Sequence, residues 1–429
     1  MQILTTPLNT RASPSRPRPL PLSAPATAGA GTRFWVTLIL LLTLCNLPLL
    51  AFLNARGMAV SSTMVGMAEA LVFTLCLAVQ LQRLPPWTMA LGLGVISWIV
   101  LTWLIRQRPD LKSVRDLLIP ILFISLGRHV ADSPFAERCM HRATLLVLAV
   151  AAFEVLFTSA YGTLFNTFSF YAGLGSIRES AAMLTGQTLT LNGYRPEGIG
   201  RTLLPAILGA HRTSSVFLEP VSLGNFAIIL LAWNLSRGWS TFEKSPMLQI
   251  LAALLFIVLS DSRFGMLMVL LLLGYRLLPM PAFRWVAPAF PLVLFAALLG
   301  VAWLVPILSD TLLGRISGSG QALLDFNEAR LMGLDSPLPG YGDMGYAYVL
   351  SRFGVLQVIA LLLVLFLLPC YSERAQRFRG LIVLYFFSSL AISGTSVFAL
   401  KTAGLMWFLL GVLDAEPRRL LPFPKQGCP

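Results

Sequence analysis

Apolar stretches about as long as a lipid bilayer is thick recur along this chain, separated by short segments that hold most of its basic residues. A run near 20 residues crosses the hydrocarbon core as a helix, and in lipid each backbone N–H and C=O must be satisfied within its own segment. The recurrence therefore dictates an all-α polytopic integral membrane protein. Hydrophobic residues make up 56% of the 429 and charged ones only 12%, and the mean hydropathy is +0.76, which rules out an ordinary soluble surface. A net charge of +13 would suit nucleic acid, but the basic residues are scattered between apolar runs rather than gathered in a patch. They report topology, and no nucleic-acid partner is expected. The five cysteines show no paired or ligand-like spacing, so neither a disulfide nor a metal site is implied.

Measured against bilayer thickness, the runs give about 12 transmembrane helices. They lie near 34–53, 58–81, 87–105, 114–127, 143–160, 216–235, 247–260, 264–278, 286–305, 346–369, 381–398 and 401–413. Residues 1–33 are rich in Pro, Ser and Ala and carry Arg11, Arg16, Arg18 and Arg33. They read as a disordered basic cytoplasmic tail, followed by a membrane domain over 34–413 and a second cytoplasmic tail over 414–429. Small residues Ala28 to Gly31 precede the first apolar run, so that span is expected to be retained rather than cleaved. Arg128, Arg138, Arg142, Arg237, Lys244, Arg276, Arg284, Arg374, Arg377 and Arg379 then fall on the inner side, as positive charge in short loops does. Arg106, Arg108, Lys112 and Arg115 fall outside. Either 114–127 is re-entrant or those charges bind something there.

Two connections are long, about 161–213 and 306–345, and both land on the outer face, where function is expected. The first contains Arg195 and Arg201 and runs into Arg212-Thr-Ser-Ser-Val-Phe-Leu-Glu219-Pro220. An ionisable residue opening a span is costly and marks a substrate path or a partner. Arg212 and Glu219 are seven apart, one face of a helix, while Pro220 pushes Glu219 out of the α region and places it at a helix mouth. A third polar intrusion, Asp261-Ser262-Arg263, divides 247–278. One helix through that stretch would be about 48 Å long, too long for a single span, so a hairpin with Arg263 near the outer surface fits better. Gly340-x-Gly342-x-x-Gly345 has the letters of a dinucleotide loop but follows no strand. No Walker A sequence or DxD-like sugar-nucleotide signal is present.

Arg212-x-x-Ser-x-Phe217-x-Glu219-Pro220-x-x-x-Gly224-Asn225, then Ser262-Arg263, then Gly342-Asp343-x-Gly345-Tyr346 leading to Phe353-Gly354, together resemble the O-antigen polymerase and ligase family of bacterial envelope glycosyltransferases. The order agrees across about 200–360; the first 200 residues match only in hydropathy. The resemblance implies a GT-C-like fold in the bacterial inner membrane with its active face periplasmic. It implies transfer of glycan from undecaprenyl diphosphate to the acceptor sugar of a lipid-linked repeat unit, in exopolysaccharide, capsule or O-antigen synthesis, with no metal or other cofactor. Partners would be the undecaprenyl-diphosphate-linked oligosaccharide, the bilayer and other polysaccharide assembly proteins. The ligase branch uses a histidine in its second outer loop, whereas this chain has only His129, His141 and His211, which favours a polymerase.

The chemistry assigns roles to particular residues. A diphosphate leaving group needs fixed cations, and Arg212 and Arg263 are candidates through the guanidinium fork. Proton removal from an acceptor hydroxyl needs a base out of bulk water, for which Glu219 and Asp343 are the candidates and His211 a further one. Each has a plainer reading. Arg212 can be an interfacial anchor, Glu219 a helix-start acid, Asp343 a cap for the next helix, Arg263 a snorkelling turn residue, and His211 structural. Arg195 and Arg201 can be solvated loop charges or can contact glycan. Rival functions are an O-antigen ligase, a flippase for lipid-linked oligosaccharide, whose site would lie nearer the midplane of repeated halves, and a non-catalytic assembly subunit.

Overall fold

The computed structural model describes residues 29–81, 84, 86–175, 188, 189, 193, 200–238, 244–305, 311–335, 339–367 and 370–415. Both expected tails, apart from a few residues at their inner edges, lie outside that range, as does Arg195. The fold of the described residues is all-helical, 84% helix with no strand. In chain order the helices are α1 (Ala30–Ala55), α2 (Ser62–Gln80), α3 (Pro86–Arg106), α4 (Leu111–Val130), α5 (Ser133–Leu156), α6 (Thr158–Phe165), α7 (Thr167–Gly173) and α8 (Pro220–Leu235). There follow α9 (Lys244–Ser260), α10 (Arg263–Leu277), α11 (Met280–Leu304), α12 (Leu312–Leu324), α13 (Gly345–Leu367), α14 (Glu373–Ile392) and α15 (Leu400–Ala415).

Six of these are long and apolar enough to cross a membrane: α1, α2, α3 from Thr88, α5, α11 from Trp285, and α13. The other apolar runs of the sequence fall on α4, α8, α9, α10, α14 and α15, which are helical but shorter or more charged. On α11, Trp285 and Trp303 are 79% and 78% exposed. Eighteen residues of helix hold them roughly 27 Å apart, close to the thickness of a hydrocarbon core, and Trp is favoured at its two boundaries.

Local chemistry sets the helix ends. Asp132 accepts the Phe135 N–H at the start of α5, Ser262 the Gly265 N–H at the start of α10, and Ser372 the Ala375 N–H at the start of α14, each at 3.0 Å. Helices α8 and α15 are buried along almost their whole length and form the centre of the bundle. Helix α15 lies so close to α4 that a Cβ on Gly127 would run into the Phe408 carbonyl, and one on Gly411 into that of Ile124. Small residues permit this approach, and in lipid close packing replaces the hydrophobic drive between helices.

Ion pairs tie one end of the bundle together. Arg33 meets Asp132 at 2.8 Å, Arg128 meets Asp414 at 3.1 Å, and Arg237 and Arg374 share Glu137 at 3.1 and 3.0 Å. This basic end joins the starts of α1, α5 and α14 to the ends of α4, α8 and α15.

Several expectations need correction. Helix α4 is continuous over Leu111–Val130, longer at both ends than the expected 114–127, and of the charges expected to bind something outside, Arg106 and Arg115 are bound within the protein itself. Arg115 pairs with Asp116 at 2.7 Å and Glu69 at 3.5 Å. The expected span 143–160 begins ten residues early, at Ser133, and ends at Leu156, because Arg138 and Arg142 are accommodated within the helix. The expected span 381–398 ends at Ile392, since Gly394 takes φ +69° and starts a 3-10 turn, Gly394–Phe398.

The interlocked glycines give a direct test. Gly411→Ala should destabilise the detergent-solubilised protein by about 1–3 kcal/mol through overpacking, lowering Tm. Gly274→Ala, which has open space around it, should leave Tm unchanged or slightly raised. Equal Tm values for both variants would refute tight α4–α15 contact.

Candidate functional site

The residues singled out in the sequence lie at the end of the bundle opposite the basic end. Helix α9 closes at Ser260, Asp261 takes a left-handed φ of +48°, and Ser262 caps α10. This is the predicted hairpin, and Asp261 is fully buried within it. Its Oδ1 accepts the N–H groups of Thr202 and Leu203 at 3.0 and 2.9 Å, fastening the long connection onto the turn.

Arg201 is not a solvated loop charge. It is 7% exposed and donates to the carbonyls of Leu203 at 2.8 Å, Val258 at 2.5 Å, Leu259 at 3.0 Å, and also to that of His211. Arg212 is likewise buried, its Nε on the Ser260 carbonyl at 3.0 Å and its N–H on Gly193 at 2.8 Å. Both arginines therefore build the floor of the site. Arg263, the first residue of α10, is exposed. Its Nε donates to Thr202 Oγ1 at 2.9 Å, and its terminal nitrogens make no hydrogen bond to a described residue. Arg201 thus holds the His211 carbonyl while the adjacent Thr202 takes Arg263, so His211 and Arg263 flank one peptide.

The expected helix face shared by Arg212 and Glu219 does not exist. Ser215 and Leu218 have positive φ of 52° and 60° around a 3-10 turn, Ser215–Phe217. The cause is Glu154, fully buried on α5. Its carboxylate accepts the Ser214 N–H at 3.0 and 2.9 Å and the Ser215 N–H at 2.6 Å, and lies 3.1 Å from His211 Nε2. Charge-assisted bonds of this kind outweigh the strain of two left-handed residues. Ser215 Oγ reaches the Val147 carbonyl at 2.7 Å, and the Tyr161 hydroxyl donates to the Ser215 carbonyl at 2.7 Å.

Glu219 does sit at a helix mouth: it is extended (φ −140°, ψ 127°) and precedes Pro220 at the start of α8. Its carboxylate accepts from Lys401 at 2.7 Å and Ser222 at 3.0 Å. Lys401, 5% exposed, also donates to the Phe217 carbonyl at 2.9 Å. Both of these bonds to the Glu219 carboxylate fall on Oε2. In the long connection, burial first and then the charge of Glu219 push the Tyr171 hydroxyl up, so it stays protonated. Gly224 is explained by packing, because a Cβ there would meet Ser262. The next residue, Asn225, is 1% exposed with neither amide atom bonded to a described residue, a buried polar group open to water or ligand.

Asp343 is exposed at the end of a 3-10 turn, Pro339–Asp343. It lies against Gly394, and Thr395 Oγ1 donates to the Gly342 carbonyl at 3.2 Å. The Gly394–Phe398 turn leads into α15 and Lys401, but no contact joins Asp343 to Arg263 or His211. The site therefore assembles His211, Arg201, Arg212 and Arg263, places Glu219 beside them along the same run, and leaves Asp343 apart. Glu154 and Lys401 were missed by sequence reasoning, although each is a single ionisable residue in an apolar run, the signal that marked Arg212.

The Lys401–Glu219 pair should be coupled in stability. Lys401→Met alone leaves a partly buried carboxylate unpaired, and adding Glu219→Gln should recover roughly 1–3 kcal/mol of that loss. Additive effects in a double-mutant cycle on the purified protein would refute the pairing.

Searches among protein-family models, curated proteins and solved structures returned no match to this chain.

Proposed function

We propose that this chain is a membrane polysaccharide polymerase, a lipid-diphosphate-dependent glycosyltransferase acting at the periplasmic face of a bacterial inner membrane. In this reading all twelve apolar helices span the bilayer in a GT-C-like arrangement, the basic end faces the cytoplasm, and the long connections about 161–213 and 306–345 face outward. The observation that carries it is the pairing of an exposed, open-ended arginine, Arg263, with a histidine held by a buried carboxylate, across one peptide.

The chemistry follows from those groups. An acceptor hydroxyl attacks the anomeric carbon of the donor glycan, the new C–O bond forms as the bond to the diphosphate breaks, and the diphosphate leaves with the electron pair on its lipid. With His211 Nε2 on Glu154, the hydroxyl proton goes to Nδ1, a buried atom that the acceptor must reach, and Glu154 orients the ring and stabilises the imidazolium. Arg263 offers a planar fork to the departing phosphate oxygens, where charge grows in the transition state. Arg201 and Arg212 hold the loop that carries both. Glu219 is engaged by Lys401 and Ser222 through Oε2, which favours His211 as the base, and Asp343, apart from these groups, is given no step in this reading.

Purified protein with a lipid-linked repeat unit tests the reading. Lengthened lipid-linked chains are expected; redistribution across the membrane without lengthening would mean a transporter, and transfer to a lipid A core acceptor only would mean a ligase. His211→Gln should lower transfer by about 10²–10⁴-fold, the range for loss of a general base. Arg263→Lys should keep part of the activity and Arg263→Ala much less, with both proteins inserted normally. Wild-type polymer from His211→Gln would remove the histidine from the mechanism.

A further inference from the structure

Each described carboxylate at the basic end is already paired. Asp132 holds Arg33, Glu137 holds Arg237 and Arg374, Asp414 holds Arg128, and Glu373 holds Arg377 at 3.4 Å. Two arginines on α5 are left outside these pairs. Arg138 and Arg142 stand four residues apart, both exposed, on one stripe of the helix. Neither makes an ion pair or hydrogen bond with a described residue. Residues 1–28 bring Arg11, Arg16 and Arg18 and no acid, so the segment preceding α1 adds to this charge and does not offset it.

Their depth makes the imbalance costly. Helix α5 is long and apolar enough to cross a bilayer and ends at Leu156, at the site end of the bundle. Arg142 precedes Leu156 by 14 residues and Arg138 by 18, about 21 and 27 Å of helical rise, against a hydrocarbon core about 30 Å thick. Both side chains therefore leave the helix inside the acyl region or at its edge, on the outside of the bundle. A charge in that position is retained with a partner or by reaching for the headgroups.

The neighbouring surface is graded in the same direction. The Arg33–Asp132 bond sets the start of α1 beside the start of α5. Just inside that level Phe34 and Trp35 are exposed and meet edge to face at 5.7 Å, as aromatic side chains do at headgroup depth. Farther along, Leu41 of α1 and Leu145 of α5 are exposed, and Leu145 continues the stripe of Arg138 and Arg142. Aromatic rings at the boundary, cations below them and leucines beyond give a phosphate and its acyl chains continuous contact.

The charges select the headgroup. Guanidinium forks bind phosphate oxygens in pairs. A zwitterionic lipid also carries an ammonium, which needs an acceptor, and the described carboxylates here are engaged. A headgroup with net negative charge has no such requirement. We propose that the α1–α5 face at the basic end binds an anionic phospholipid, its phosphate drawn onto Arg138 and Arg142 and its acyl chains along Leu41 and Leu145. The site lies at the opposite end of the bundle from Arg263 and His211, and it requires membrane insertion only, whatever reaction the other end carries out. A lipid held there offsets two charges that α5 otherwise presents to hydrocarbon, and α5 is the helix that positions Glu154.

The full chain, purified in detergent and stripped of lipid, tests this by native mass spectrometry of retained adducts, with phosphatidylglycerol and phosphatidylethanolamine of the same acyl chains as probes. Wild type should retain phosphatidylglycerol at least about tenfold more tightly, a difference of about 1.4 kcal/mol at 25 °C. The double variant Arg138→Gln/Arg142→Gln should lose that preference, and Arg138→Lys/Arg142→Lys, which keeps the charge without the fork, should keep part of it. Arg56→Gln removes an exposed arginine at the far end of α1 and should change nothing. Equal retention of the two lipids by wild type, an unchanged preference in the double glutamine variant, displacement of the lipid by inorganic phosphate, or an equal loss in Arg56→Gln would each overturn the assignment. All three positions are exposed, and Tm without added lipid checks that the fold is intact; if the double glutamine variant does not fold, the two single variants read against Arg56→Gln decide the same question.

Discussion

The end of the bundle that carries the candidate site depends on one buried carboxylate. Glu154 has no exposure, and a charge in that position is strongly unfavourable unless its oxygens are filled. They are filled by two consecutive backbone N–H groups and a histidine, all from one stretch about 60 residues further along the chain. The 3-10 turn at Ser215–Phe217, the left-handed Ser215 and Leu218, and the extended Glu219 before α8 follow from that demand. Because Lys401 then bonds the Phe217 carbonyl and Glu219 together, the same geometry fixes where α15 begins. The order of cause runs from one side chain on α5 to the mouths of the two central helices.

Much of the architecture was legible in the sequence because it follows from hydrophobicity and length, which act locally. Each of the twelve apolar runs carries a helix over most of its described residues, although 143–160 and 381–398 run past a helix end, and the Asp261–Ser262 turn falls where a polar intrusion divided a run too long for one span. What was not legible depends on partners far away in sequence. The run from Arg212 to Glu219 has helical letters, and nothing within it announces that Glu154 will pull its N–H groups out of a helix. Residues 346–369 read as one apolar run in spite of Ser351, Arg352 and Gln357, and those letters do not announce a break at Gly354, which is held by Gly333, Trp98 and Arg106 from elsewhere in the chain. Helix ends were misjudged where apolar letters continue past a backbone change, as at Val397 and Phe398, or where arginines such as Arg138 sit inside a helix.

Intramembrane charge was the most useful signal and was applied too narrowly. Arg212 and Glu219 attracted notice because they stand in a recognisable run, while Glu154 and Lys401, each alone in apolar sequence, and Asp116, beside Arg115, carry as much of the structure. Their partners explain why they are tolerated: backbone N–H groups, a tyrosine hydroxyl and a carboxylate, respectively. Arginines divide in the same way. Arg106 and Arg201 are consumed by main-chain carbonyls, so counting them as outer-face charge overstates what a ligand could meet, whereas Arg263 and Lys112 are exposed.

The two ends of the bundle are built on different principles, and this locates function more firmly than any motif does. At the basic end, side-chain ion pairs close regular helix termini. At the opposite end the backbone itself is interrupted, at Ser215 to Leu218, at Asp261, at Gly354 and at Gly394. Each interruption needs donors or acceptors brought from elsewhere, and a bundle that only had to span a bilayer would gain nothing from them. What they create is polar geometry at membrane depth: N–H groups around a carboxylate, and a histidine beside an exposed arginine. Irregular backbone inside a membrane is tolerated where it is buried in protein or lines a water-filled cavity, and the four interruptions at one end hold their freed groups with donors and acceptors brought from distant parts of the chain.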